Sequence, residues 1–342
     1  MKIKDNKHPS ITANADTIAA TSDSLFQKLT NLSRFMLMRL STMELLALSF
    51  SVLLLALSFM AFLLNSDFWH YSSARHIDAA FFSTLILLDI LLLILAALLT
   101  QHMAKTANFL KFLAIYLFAW FSIAIASYGI QLTPFKAIDT LLYHADLMLG
   151  ISQNTLIAWA HKQTMLHSLL KFSYSSLDIQ LIILPFMAAI CLKTEKAQEF
   201  LGLFALVNLI GCIIYYLWPT ASPASVLSHT YLVSGQIDLA AEFKQLHQGL
   251  TPSVIGDGLI SFPSFHVIWA TLFTFVFYRK KWLFYPLLLL NITLCAATVL
   301  LGWHYVVDVI GGWAVLAGCF FLLRFSRCST TARRMLCVNQ IH

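Results

Sequence analysis

Two histidines with different neighbours carry the chemistry open to this chain. His304 lies in Gly302-Trp303-His304-Tyr305-Val306-Val307-Asp308, four residues ahead of a carboxylate. On a helix that spacing puts both side chains on one face. A carboxylate there accepts the imidazole N–H, selects the tautomer and stabilises the imidazolium. The other ring nitrogen then becomes the better nucleophile. His266 closes Ser261-Phe262-Pro263-Ser264-Phe265-His266. Pro263 suits a helix start. The N–H groups near Ser264, Phe265 and His266 are then placed to hold phosphate oxygens, and His266 to protonate a leaving group. Such a set performs phosphoryl transfer with no metal and no cofactor.

Both motifs depend on apolar helices to place them. Apolar runs fall at about 43–64, 79–100, 108–130, 172–193, 199–218, 264–278, 283–303 and 305–325. Spanning a bilayer takes about 20 residues of helix. The pattern predicts an all-α, polytopic transmembrane bundle of about eight spans. The last three form a hairpin and its return. Arg279-Lys280-Lys281 marks the turn, and a histidine stands at each outer end.

Composition agrees. The 342 residues are 59% hydrophobic and 11% charged, with a mean hydropathy of +0.77. A soluble domain would be about 25% charged. The net charge of +6 reports orientation, not nucleic acid. With the N-terminus inside, cytoplasmic segments hold 17 of the 22 Lys and Arg, as the positive-inside rule expects. That orientation places His266 and His304 on the non-cytoplasmic face. The six cysteines form no C-x-x-C pair, and no disulfide is expected.

The chain divides into an arm at 1–42, membrane helices at 43–130, a catalytic membrane domain at 131–326 and a tail at 327–342. Ser24 to Leu40 has the spacing of an amphipathic helix. Two long outer segments flank the fourth and fifth spans. Residues 131–171 read as interfacial helices through Leu156, Trp159, Ala160, Leu166 and Leu169. Residues 219–262 lead through Gly256-Asp257-Gly258 into the His266 motif. Lys244 there is a candidate phosphate contact or a solvated loop charge. Asp89, Asp178 and Gln180 are intramembrane polar groups, either substrate contacts or structural.

Pro263-Ser264-Phe265-His266 and His304…Asp308 resemble the second and third motifs of the type-2 phosphatidic acid phosphatase superfamily. Phe265 stands where the family has Gly. Ala297 and Thr298 stand where it has Ser-Arg, and the Lys and Arg-Pro motif is missing, with Trp218-Pro219 nearest to it. The variants Phe262-Pro263-Ser264-Phe265-His266 and His304-Tyr305…Asp308 with Gly311-Gly312 are similar to the inositolphosphotransferase, or inositol phosphorylceramide synthase, branch. So are Asp139, Asp146…Gly150 and Tyr215-Tyr216-Leu217-Trp218-Pro219. The resemblance covers about 131–315. It implies a six-helix phosphatase-type core, a phosphohistidine on His304, and His266 as acid and then base.

The expected protein is therefore a lipid phosphotransferase or phosphatase in a multi-pass membrane setting, a bacterial inner membrane by its compact loops. Its partners are a lipid phosphate substrate and membrane lipids, of phospholipid or sphingolipid type. A simple lipid phosphate or isoprenoid diphosphate phosphatase is the alternative within that class. A transporter using Asp89, Asp178 and the histidines as a proton path is the alternative outside it.

Overall fold

The computed structural model describes residues 40–69, 79–250, 252–253 and 261–339. The amphipathic stretch expected at 24–40, apart from Leu40, and Gly256-Asp257-Gly258 lie outside them. The described residues are all helix, turn and loop. Among these described residues eleven α-helices follow in order. They are α1 (Thr42–Trp69), α2 (Ala79–Leu99), α3 (Ala104–Ile130), α4 (Asp139–Met148), α5 (Gln153–Lys162), α6 (Thr164–Cys191), α7 (Thr194–Leu217), α8 (Ser234–His247), α9 (Phe265–Val276), α10 (Lys281–Leu300) and α11 (Val306–Asn339).

Among the described residues seven helices (α1, α2, α3, α6, α7, α10 and α11) are long and apolar enough to cross a membrane. The expected eighth span is the shorter α9, of 12 residues. The fourth span begins at Thr164, eight residues before the expected 172. Leu166 and Leu169 therefore belong to a spanning helix and not to an interfacial one. The break falls at Gln163, whose φ of −96° and ψ of 83° leave the helical region. The last helix runs on to Asn339, through most of the segment read as a tail.

α3 and α7 are the most buried long helices, and α1, α6 and α11 pack around them. The core between them is aromatic: Tyr116, Phe200, Phe204, Phe273 and Phe277 are all buried there. Most other spans turn large apolar side chains outward, such as Leu87 and Ile90 on α2 and Ile179 and Ile182 on α6. That is the reverse of a water-soluble bundle and suits a lipid surround. Some of the polar groups inside pair across helices. Gln180 of α6 donates to Asn291 Oδ1 of α10 at 2.8 Å, and Asn291 donates to Ala270 O and Thr274 Oγ1 of α9, both at 2.9 Å.

The hairpin expected around Arg279-Lys280-Lys281 is α9 turning into α10. At 1.5 Å per residue α9 rises about 18 Å and α10 about 30 Å. The N-terminus of α9, with His266, therefore stops short of the bundle end where α10 finishes. The short helices α4, α5 and α8 gather at that same end, together with the turns Pro223–Ser225 and His229–Tyr231.

Candidate active site

His304 is not on a helix. It lies in the turn between Leu300 and Val306, so the face-sharing expected from its spacing to Asp308 is achieved differently. Gly302 makes the turn possible with φ +82°. A Cβ there would also come within 2.7 Å of Leu232 and 3.0 Å of Ile157. The chain then folds back, and Thr298 O accepts the N–H of Trp303 at 3.0 Å and of His304 at 2.9 Å. Asp308, in the first turn of α11, reaches back. Its Oδ2 accepts the Tyr305 N–H at 2.9 Å and lies 3.3 Å from His304 Nδ1.

His304 Nδ1 is also 2.9 Å from the carbonyl oxygen of Ser261. A carbonyl only accepts, so Nδ1 carries the proton in the neutral ring and Nε2 keeps its lone pair. His304 is 2% exposed. Burial lowers its pKa from 6.5 to about 4, against the Ser261 hydrogen bond, which raises it. The ring is thus neutral and able to attack at pH 7.

His266 follows the cap of α9. Ser264 is the N-cap, and its Oγ accepts the Val267 N–H. Its own N–H donates to Asp308 O at 3.3 Å, so these two groups of Ser264 serve the fold. Phe265 turns its ring into the bundle, against Gly211 of α7 and at 5.2 Å from Trp269. The N–H groups of Phe265 and His266 are the ones that α9 leaves without intrahelical acceptors. The His266 ring meets His304 at 5.5 Å between centroids and 64° between planes. It also stacks on Tyr174 of α6 at 4.4 Å, and Tyr174 stacks on Trp303 at 5.5 Å.

The two histidine segments are drawn together by small residues. A Cβ on Gly311 would stand 2.6 Å from the Phe262 ring, and one on Gly312 2.9 Å from Ser264 O. Both glycines of α11 therefore let the segment ahead of His266 lie against the helix that carries Asp308.

Two further carboxylates hold this assembly from α4. Asp146 accepts the Val306 N–H at 2.8 Å and the Val307 N–H at 3.0 Å, an anion at the N-terminus of α11. Gln153 donates to Asp146 at 3.1 Å and to His304 O at 2.9 Å. Asp139 accepts the N–H groups of Ala221 at 2.8 Å and Ser222 at 3.1 Å, and Tyr305 Oη lies 3.3 Å away. Burial holds both carboxyls above the usual carboxylate range, and the hydrogen bonds offset only part of that rise.

His266, His304 and Asp308 thus come together, with Ser264 and Phe265 as their frame. Lys244 is exposed, on the side of α8 opposite the buried Leu239, Phe243 and Leu246, and the structure does not bring it to the two rings. Gln180 belongs to the α6–α10 contact, Asp178 is exposed, and Asp89 Oδ1 has no hydrogen-bond partner among the described residues. Residue types and spacing did not single out the Ser261 carbonyl, Gln153, Tyr174 or Trp303. The family-like Asp139 and Asp146 were the one available signal for the α4 supports.

Fold and site together define a multi-pass helical membrane protein with a two-histidine centre at one end of its bundle. A family model described as the PAP2 superfamily matches residues 140–322, more than half of the chain. The chain belongs to that superfamily, and membership indicates a phosphatase-type enzyme of lipid phosphates. No curated protein and no solved structure matches it.

Proposed function

We propose that the protein transfers the phosphoryl group of a lipid phosphate ester through a phosphohistidine on His304. The observation that carries this is the setting of His304. Its Nδ1 is committed to Ser261 O and Asp308, and the His266 ring lies 5.5 Å away. Nε2 attacks phosphorus, and the bond to the lipid alkoxide breaks. His266, in its protonated form, gives its proton to that oxygen. Neutral His266 then takes the proton of an incoming hydroxyl, whose oxygen displaces His304 from phosphorus. Asp308 and Ser261 O steady the charge that His304 gains while it carries the phosphoryl group.

Water as acceptor makes the enzyme a phosphatase. A lipid or polyol hydroxyl makes it a transferase of phospholipid or sphingolipid type. The likeness of the two histidine motifs to the inositolphosphotransferase branch supports the second. The bias of 17 of 22 Lys and Arg toward the other side supports a site on the non-cytoplasmic face.

The test is quenching of the full-length protein in alkaline detergent after exposure to vesicles containing phosphatidate labelled with 32P. The expected result is acid-labile, base-stable label on the protein, absent in His304→Ala. Full turnover by His304→Ala would refute the nucleophile. Adding inositol or a lipid alcohol to the same vesicles separates the two acceptors by the labelled product.

A further inference from the structure

We propose that Lys171 is the cation that grips the phosphate, within a polar stripe on α6 that binds the substrate's headgroup. The proposal rests on the phosphoryl-transfer reading above and identifies which charge that site uses.

The site is short of positive charge. Asp139, Asp146 and Asp308 are all buried around the His304 turn, and His304 itself is neutral at pH 7. A phosphate ester adds more negative charge to this end of the bundle. A charge-assisted donor is needed to offset it. The two positions beside His304 where the resembled family carries Ser-Arg provide none. Ala297 is fully buried, and Thr298 is fully buried with its hydroxyl returned to Cys295 O at 2.7 Å.

α6 approaches that neutral position. Leu170 packs in one cluster with Ala297 and Ala160, and Tyr174 lies against the same cluster. His167, Lys171 and Tyr174 are spaced four and three apart, so they form one stripe along α6. The direction of the stripe is set by Tyr174, whose ring stacks on His266 at 4.4 Å. Lys171 stands one turn outward from that ring. Its side chain is exposed, and its ammonium makes no ion pair or hydrogen bond among the described residues. The Lys171 Cα–Cβ bond leans toward the N-terminus of α6 and its charge acts on His167 there, so the ammonium lies on the outer side of the Tyr174–His266 stack.

The stripe continues as a polar mouth. His167 packs edge-on against His161 at 4.9 Å, and His161 against Tyr231 at 5.0 Å. Lys171 and His161 both act electrostatically on His167. Cationic and hydrogen-bonding groups are thus arrayed outward from the reacting rings, as an anionic headgroup bearing hydroxyls requires. Lys244, exposed on α8, has no comparable link to the rings.

The experiment measures binding of inorganic phosphate to the full-length protein in detergent by titration calorimetry. Lys171→Gln is expected to weaken binding about tenfold or more, the loss of one charged hydrogen bond. Lys171→Arg is expected to stay within about threefold, since the charge is kept. Lys196→Gln, which removes an exposed pair with Glu199 at the far end of the bundle, should match the wild type. Equal phosphate affinity in Lys171→Gln, or no phosphate binding by the wild type, would overturn the proposal. So would loss of binding in Lys171→Arg as severe as in Lys171→Gln. Phosphate binding does not need His304 to react. Loss of the covalent label with this Lys171 dependence intact would count against the phosphohistidine and leave the cation assignment standing.

Discussion

Asp146→Asn tests whether the His304 turn is held in place from α4. Asp146 is fully buried, and three donors converge on its two oxygens. They are the Val306 N–H at 2.8 Å, the Val307 N–H at 3.0 Å and the Gln153 amide at 3.1 Å. An asparagine keeps one oxygen and presents an NH2 group where the other stood. At least one buried donor then loses its acceptor. A hydrogen bond to a charged group contributes about 1.5–3 kcal/mol, and a stranded buried donor costs about 1–3 kcal/mol. The two overlap, so the expected loss of stability is about 2–4 kcal/mol. The anion at the start of α11 is part of that figure and is not added to it. Function should suffer as well. Gln153 also holds His304 O at 2.9 Å, and α11 carries Asp308, so loosening the clamp displaces the His304 backbone and its carboxylate partner. A misplacement of about 1 Å at a reacting group costs roughly a hundredfold in rate. A fall in kcat of about ten- to a hundredfold is therefore expected, with KM changed far less. The assays are denaturant unfolding in detergent micelles and steady-state turnover in vesicles. An Asn variant within about 0.5 kcal/mol of the wild type, with unchanged kcat, would refute the clamp; surface changes commonly fall within that margin.

Two further outcomes follow from the packing and the buried imidazole. Gly211→Ala places a methyl group 2.5 Å from the tip of the buried Phe265 ring, so α7 and α9 must separate. Overpacking of this kind costs about 1–3 kcal/mol, read as a lower midpoint on thermal or denaturant unfolding; adding Phe265→Leu should recover part of it, and a wild-type midpoint in Gly211→Ala would count against the contact. His304 has its pKa lowered to about 4 from 6.5 by burial. Its acid limb in kcat/KM should therefore lie near pH 4. The unfolded chain takes this proton near pH 6.5 and the folded chain only near pH 4, so the group's contribution to stability is lost as pH falls through that window. A rate profile that loses half its activity near pH 6.5 through His304 would show a solvated ring.

Much of the architecture was legible in the chain because a bilayer makes its demands locally. A helix of about 20 apolar residues is needed wherever the chain crosses, so spans 1, 2, 3, 5 and 7 were readable to within a few residues. The errors came where polarity and helicity separate. Thr164 to Lys171 is polar enough to resemble a surface helix, yet it is the outer end of α6. The break at Gln163 is a backbone event with no strong residue signal. At the candidate site, the grouping of His266, His304 and Asp308 was legible from their types and spacing, and the structure brings the three together.

The supports were a different matter. Asp146 meets Val306 across 160 residues of chain, and His304 meets Ser261 across 43. No local pattern encodes such pairings. They are specified when helices pack and loops fold back over their ends. Phe265 in the place of a glycine looked like a departure until Gly211 was found opposite it on α7. Lys171 looked like one more outer cation until the Tyr174–His266 stack set the direction of its helix face. The chain's own order thus determined which residues can do chemistry and which segments cross the membrane. Only the tertiary fold decided which nitrogen is free and what holds the ring, because these are contacts between residues that sequence keeps far apart.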